Sequence, residues 1–194
     1  MPNLSRNPAR GDLLRHAELM QNGAVRPHGL TAQDEKFRRW LLDQADQHGN
    51  AVVQVAGGED YAPYAFTVGA WRRFGVAEAV VVGLPQEMSH VLLNAYVHRA
   101  GLGERFRAGM VYDGFFEGVP VVFEKVDRGW YPEYLGSAFL LYAKGDFAAL
   151  QIVVPTPQGK WPWSADAPAG FGAWQPVLTR SGRPESWTPG VDGP

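Results

Sequence analysis

Apolar and polar positions follow two periods along the chain. Phe37, Trp40, Leu41 and Ala45 recur at helical spacing behind Thr31, a good N-cap with Asp34 and Glu35 in the next turn. Gly49 closes that helix. Residues 51–56 then alternate as a strand, Gly57-Gly58-Glu59-Asp60 turns the chain, and residues 64–68 form a second strand. The continuous apolar run at 79–83 predicts a central strand buried on both faces. Pro85 opens a helix reaching about Arg99, with Met88, Val91, Leu92 and Ala95 as its expected buried stripe. Strands are expected at 119–126 and 150–154. Between them Leu135, Ala138, Phe139 and Tyr142 repeat as a third helix, opened by Pro132 and closed by Lys144-Gly145.

This order, α-β-β-β-α-β-α-β with short loops, predicts one α+β domain: a mixed or mainly antiparallel sheet with about three packed helices. It occupies residues 31–179. Residues 1–30 form an N-terminal extension, in which Leu13, Leu14, Ala17 and Met20 share one face of a short helix whose apolar side needs a docking partner. Residues 180–194 hold three prolines, three glycines and one aromatic, Trp187, and are expected to be a disordered tail.

Composition narrows the function classes. The 194 residues carry a net charge of −2, which argues against nucleic acid or an anionic membrane as partner. There is no cysteine, hence no disulfide, thiolate nucleophile or finger-type zinc site. The five histidines, at 16, 28, 48, 90 and 98, include no close-spaced pair, so no metal site and no cofactor is expected. The amino-terminal stretch lacks the apolar core of a secretory signal and no apolar run could span a bilayer, so a cytoplasmic protein is expected. No nucleophile elbow, phosphate-binding loop or dinucleotide fingerprint is present.

The 23 glycines, 15 prolines and seven tryptophans are the informative excess. Five tryptophans, at 71, 130, 161, 163 and 174, fall in Gly/Pro-punctuated loops or at element ends. The Trp71-Arg72 loop suits anions or peptide carboxylates, but it equally suits a loop roofing the core. Tyr131, Glu133 and Tyr134 stand at a helix start, where they could meet a ligand or simply pack. Trp161-Pro162-Trp163 makes a rigid loop that either walls a pocket or caps the sheet. On the helix after Pro85, Glu87, His90, Asn94 and His98 fall within about 80° of one another. His90 is the candidate general acid or base and Asn94 or Glu87 its orienting group, against the plain alternative of a solvated face.

Several of these segments resemble the bacterial domain-of-unknown-function family DUF4262. The matching stretches are Ala65-Phe66-Thr67-Val68-Gly69 with Trp71 and Phe74-Gly75, and Val82-Gly83-Leu84-Pro85 with His90 and Leu93-Asn94. Trp130-Tyr131 to Tyr134-Leu135-Gly136, Leu150-Gln151, Val154-Pro155, Gly159, Pro162-Trp163 and Gln175-Pro176 complete the series. The chain departs at Val76-Ala77-Glu78-Ala79, where the family usually reads His-Pro-Glu-Leu, and at Trp161, where Phe is commoner. The resemblance implies a shared α+β fold and no common activity. It places Trp71, His90, Asn94, Tyr131, Tyr134, Gln151 and Trp163 at motif positions.

Three functions follow as expectations. The first is a domain binding a small molecule or a peptide segment in a cleft lined by the aromatic loops, with Trp71, Arg72, Tyr131, Glu133, Tyr134, Gln151 and Trp163 as its contacts. The second is an enzyme using His90 and Asn94 on a small polar substrate. The third is an immunity-type or regulatory protein whose partner docks on the N-terminal helix.

Overall fold

A computed structural model describes residues 30–194. The expected N-terminal helix and its docking role lie outside the described residues. Helix α1, Ala32–His48, starts with a capping box: the Thr31 hydroxyl accepts from Asp34 N–H, and the Asp34 carboxylate accepts from Thr31 N–H. Gly49 ends it at φ 88°, a left-handed conformation that glycine adopts without a Cβ penalty.

Strands β1, Ala51–Val55, and β2, Tyr64–Val68, pair antiparallel, and a short helix α2, Ala70–Phe74, leads into β3, Glu78–Val82. Helix α3 spans Gln86–Gly101. The hairpin of β4, Val111–Phe116, and β5, Val119–Lys125, follows. A short helix α4, Tyr131–Tyr134, continues into a 3-10 turn at Gly136–Leu140. Strand β6, Ala149–Val153, and helix α5, Phe171–Trp174, complete the set.

The strands form one six-stranded sheet in the order β1-β2-β3-β6-β5-β4. Only β3 and β6 run parallel, so the architecture is α+β, as the pattern predicted. Every residue of the adjacent central strands β3 and β6 is buried, as expected for strands covered on both faces. On one face Leu41 of α1, Phe66, Val80, Tyr131, Leu135, Ala138 and Phe147 share a core. On the other, Leu92, Leu93, Tyr96 and Val97 of α3 pack on Val81, Phe123 and Ile152.

Four details differ from the sequence expectation. The Trp71 loop is the helix α2. Strand β4 was not anticipated, because an edge position leaves most of it exposed and Asp113-Gly114 breaks its alternation. The third helix is broken: Leu135 takes φ −131°, outside the helical region, so the apolar repeat is satisfied by a short α-turn and a 3-10 turn. The buried stripe of α3 is Ser89, Leu92, Leu93, Tyr96, Val97 and Ala100, rotated by about 100° from the expected one, so Met88 and Val91 are exposed. Tyr96 anchors that rotation, donating to the Ala77 carbonyl at 2.7 Å from a fully buried position.

The expected disordered tail also needs correction. Residues 180–194 carry no helix or strand, yet the buried Glu124 carboxylate accepts from Glu185 N–H (2.9 Å), Ser186 N–H (3.1 Å) and the Ser186 hydroxyl (2.5 Å). Trp187 is 6% exposed, packed with Val122, Val153 and Trp161, its ring centroid 5.4 Å from that of Trp163. Composition misleads here because one tryptophan buries enough area to hold a short polar segment. Trp187→Ala should therefore lower stability by about 3 kcal/mol or more in urea unfolding. A loss below about 1 kcal/mol would mean that the segment rests loosely on the sheet.

A cleft where two helix ends meet the sheet

Strand β2 must reverse direction to enter β3, and α2 makes the reversal. Gly69, at φ 115°, starts it, and a Cβ there would come within 2.7 Å of Ala45 Cβ. The turn closes on Glu78, which has no exposed surface. Its Oε1 accepts from Gly69 N–H (2.8 Å), Trp71 N–H (3.1 Å) and the Tyr142 hydroxyl (2.6 Å). Its Oε2 accepts from the Thr67 hydroxyl at 2.6 Å. Burial pushes the Glu78 carboxyl above the ordinary carboxylate range, while the Thr67, Tyr142, Trp71 and Gly69 hydrogen bonds pull it back. Burial also raises the Tyr142 phenol, and the Glu78 charge raises it further. A carboxylate with four donors and no exposed surface holds the backbone of this turn in place.

The far end of α2 helps to form a cleft. Phe74, the C-terminal ends of α1 and α3, and the start of β1 enclose about 230 Å3, lined by His48, Asn50, Phe74, Asn94, Val97, His98, Gly101 and Leu102. Gly49 is required there, since a Cβ would lie 2.8 Å from the Phe74 ring. Asn50 is 5% exposed, and its Nδ2 has no hydrogen-bond partner among the described residues. An unpaired buried amide group costs about 1–3 kcal/mol, so this donor stands out.

Of the residues singled out in the sequence, Asn94 lines this cleft. His90, on the same helix, is exposed and outside the lining. Trp71 is 37% exposed beside the Glu78 joint, and Arg72 is exposed while its N–H reaches the Tyr142 hydroxyl at 3.4 Å. Tyr131 is buried against Phe147, ring centroids 4.9 Å apart, with its hydroxyl donating to the Phe147 carbonyl. The Glu133 carbonyl accepts from the Tyr64 hydroxyl, and Tyr134 meets the Tyr64 ring edge-on. Gln151 is buried in β6, donating to the Pro176 carbonyl and accepting from Leu178 N–H, both at 2.7 Å. Trp163 stacks on Trp161 at 5.4 Å and donates to the Pro194 carbonyl.

The three aromatic loops join separate packing clusters, and of their residues Phe74 lines the cleft. Sequence reasoning overlooked Asn50 and His48 as cleft residues, and Glu78 as the joint. A polar side chain right after a helix-ending glycine, and an acid at the head of an apolar strand, were the available signals.

Among the described residues no group of three or more His, Asp or Glu is placed to hold a metal ion, and no helix is long and apolar enough to cross a membrane. A family described as a domain of unknown function, DUF4262, matches residues 44–168. The chain belongs to this family. No curated protein and no solved structure matches it. The DUF4262 span contains every residue that lines the cleft, and Glu78 with its four donors.

The Glu78 joint of this DUF4262 domain has a pH signature. Because burial raises the carboxyl in the folded state, the unfolded chain ionises first as pH rises. Stability of the wild type should then fall relative to Glu78→Gln, from the ordinary carboxylate range upward, until folded Glu78 has itself ionised. Urea unfolding of both proteins across a pH series measures this, and a slope of opposite sign would mean that the hydrogen bonds outweigh burial.

Proposed function

We propose that this domain binds a small molecule, or a single side chain of a peptide partner, in the cleft between α1, α2 and α3. The unpaired Nδ2 of Asn50 carries the reading: a donor buried to 5% exposure without a partner is a stability cost that a bound acceptor would remove. The surroundings agree with it. Asn94, His48 and His98 supply polar groups, and Phe74, Val97 and Leu102 supply an apolar wall. At about 230 Å3 the cleft lies below the roughly 300–1,000 Å3 of drug-sized sites, which favours a ligand of one ring or one side chain. The enzyme alternative has less behind it, since its proposed general acid or base, His90, is exposed and outside the lining.

Thermal unfolding of the wild type and Asn50→Leu against a library of small metabolites and capped amino acids tests the reading. A ligand at a hundred times its Kd adds about 2.7 kcal/mol, or roughly 5–10 °C for a chain of this size. At least one compound should raise the wild-type Tm in that way and leave Asn50→Leu unmoved, while unliganded Asn50→Leu is as stable as the wild type or more so. If Asn50→Leu loses more than about 2 kcal/mol, or no compound separates the two proteins, the cleft is not a binding site.

A further inference from the structure

The chemistry around Asn50 narrows the ligand, on the reading that the cleft is a binding site. Two long helices end on it. Helix α1 finishes at His48, with Gly49 N–H closing on the Ala45 carbonyl, and α3 finishes at Gly101, with Leu102 N–H closing on the His98 and Arg99 carbonyls. The C-terminus of a long helix carries the equivalent of roughly half a negative charge, and these two face one small volume. No Lys or Arg side chain lines it. A carboxylate or phosphate placed there meets two negative helix ends with no Lys or Arg side chain in the lining to offset them.

A cation suits the helix ends but not the rest of the site. It carries no acceptor for the Asn50 Nδ2, the one buried side-chain atom without a partner among the described residues. The demand is therefore for an acceptor without a full negative charge, which is an amide or lactam carbonyl. The N–H groups of the same amide can be taken up by the Asn94 side-chain carbonyl or by an acceptor nitrogen of the His48 or His98 imidazole. An amide also satisfies Asn50 in either orientation of its terminal group, because it carries an acceptor and a donor side by side. Phe74, Val97 and Leu102 leave an apolar wall for a flat body attached to that amide.

We infer that the cleft of Asn50, Asn94, Phe74 and His98 recognises an uncharged carboxamide or lactam on a single ring or side chain, and discriminates against the corresponding carboxylate. Benzamide, benzoate and benzylammonium share one ring and differ only in this group. Titrated separately at millimolar concentration into the full chain and followed by two-dimensional amide NMR, they read out which group the cleft takes. Benzamide should shift the resonances of Asn50, Asn94 and the Gly101-Leu102 backbone, and bind at least about tenfold more tightly than benzoate or benzylammonium. Asn50→Leu should lose the benzamide shifts while its other resonances keep their positions. Tighter binding of benzoate or benzylammonium at the same residues overturns the amide assignment and leaves the binding site standing. Shifts from none of the three at these residues overturn both.

Discussion

The buried carboxylate of Glu78 is the contact on which the rest of the arrangement depends. Burying a charge is costly, and here four donors offset part of the cost: two backbone N–H groups of the β2–α2 turn, the Thr67 hydroxyl and the Tyr142 hydroxyl. The bonds tie β2, α2, β3 and the segment after α4 together at one end of the sheet. They also aim α2, which sets where Phe74 stands against Gly49 and Gly101 at the edge of the cleft. The shape of that cleft depends in part on a carboxylate that is not among its lining residues.

The same physics recurs along the sheet. Segments without regular structure leave backbone N–H and carbonyl groups that need partners, and buried polar side chains supply them. Gln151 holds Pro176 and Leu178, Gln175 holds both backbone groups of Val154, and Glu124 holds Glu185 and Ser186. These pegs let the Gly/Pro-rich stretch after β6, which contains only one short helix, cover one end of the sheet. Trp161, Trp163 and Trp187 fill the space beneath it. After β6, then, the tryptophans and the glycine and proline turns work together: polar pegs hold the segment and three indoles pack under it.

Asn50 is the exception to that rule among the described residues. It follows the glycine that ends α1, and its Nδ2 has no hydrogen-bond partner among the described residues, beside two helix ends and an apolar wall. A domain that satisfies buried Glu78, Glu124, Gln151 and Gln175 in full, and leaves this one amide open, concentrates its unmet polarity in one place. That contrast gives the cleft its chemical character, more than its size or shape does.

The sequence by itself determined what depends on neighbours in the chain. The capping box of Thr31 and Asp34, the glycine stop at Gly49 and the apolar run of β3 are local signals, and the elements stand where those signals put them. Membership of an α+β class followed from their order. Tertiary structure alone decided which arc of α3 is buried, because several arcs of that helix are apolar enough and the choice was made by Tyr96 reaching Ala77. It also decided the fates of Glu78 and of the last fifteen residues, whose partners lie 64 and 62 positions away in Tyr142 and in Glu124. Asn94, which lines the cleft, was legible as part of a polar arc because such an arc on a helix shows in the spacing. Asn50 was not, because an unmet hydrogen bond is a property of what surrounds a side chain, and only the packed fold supplies the surroundings.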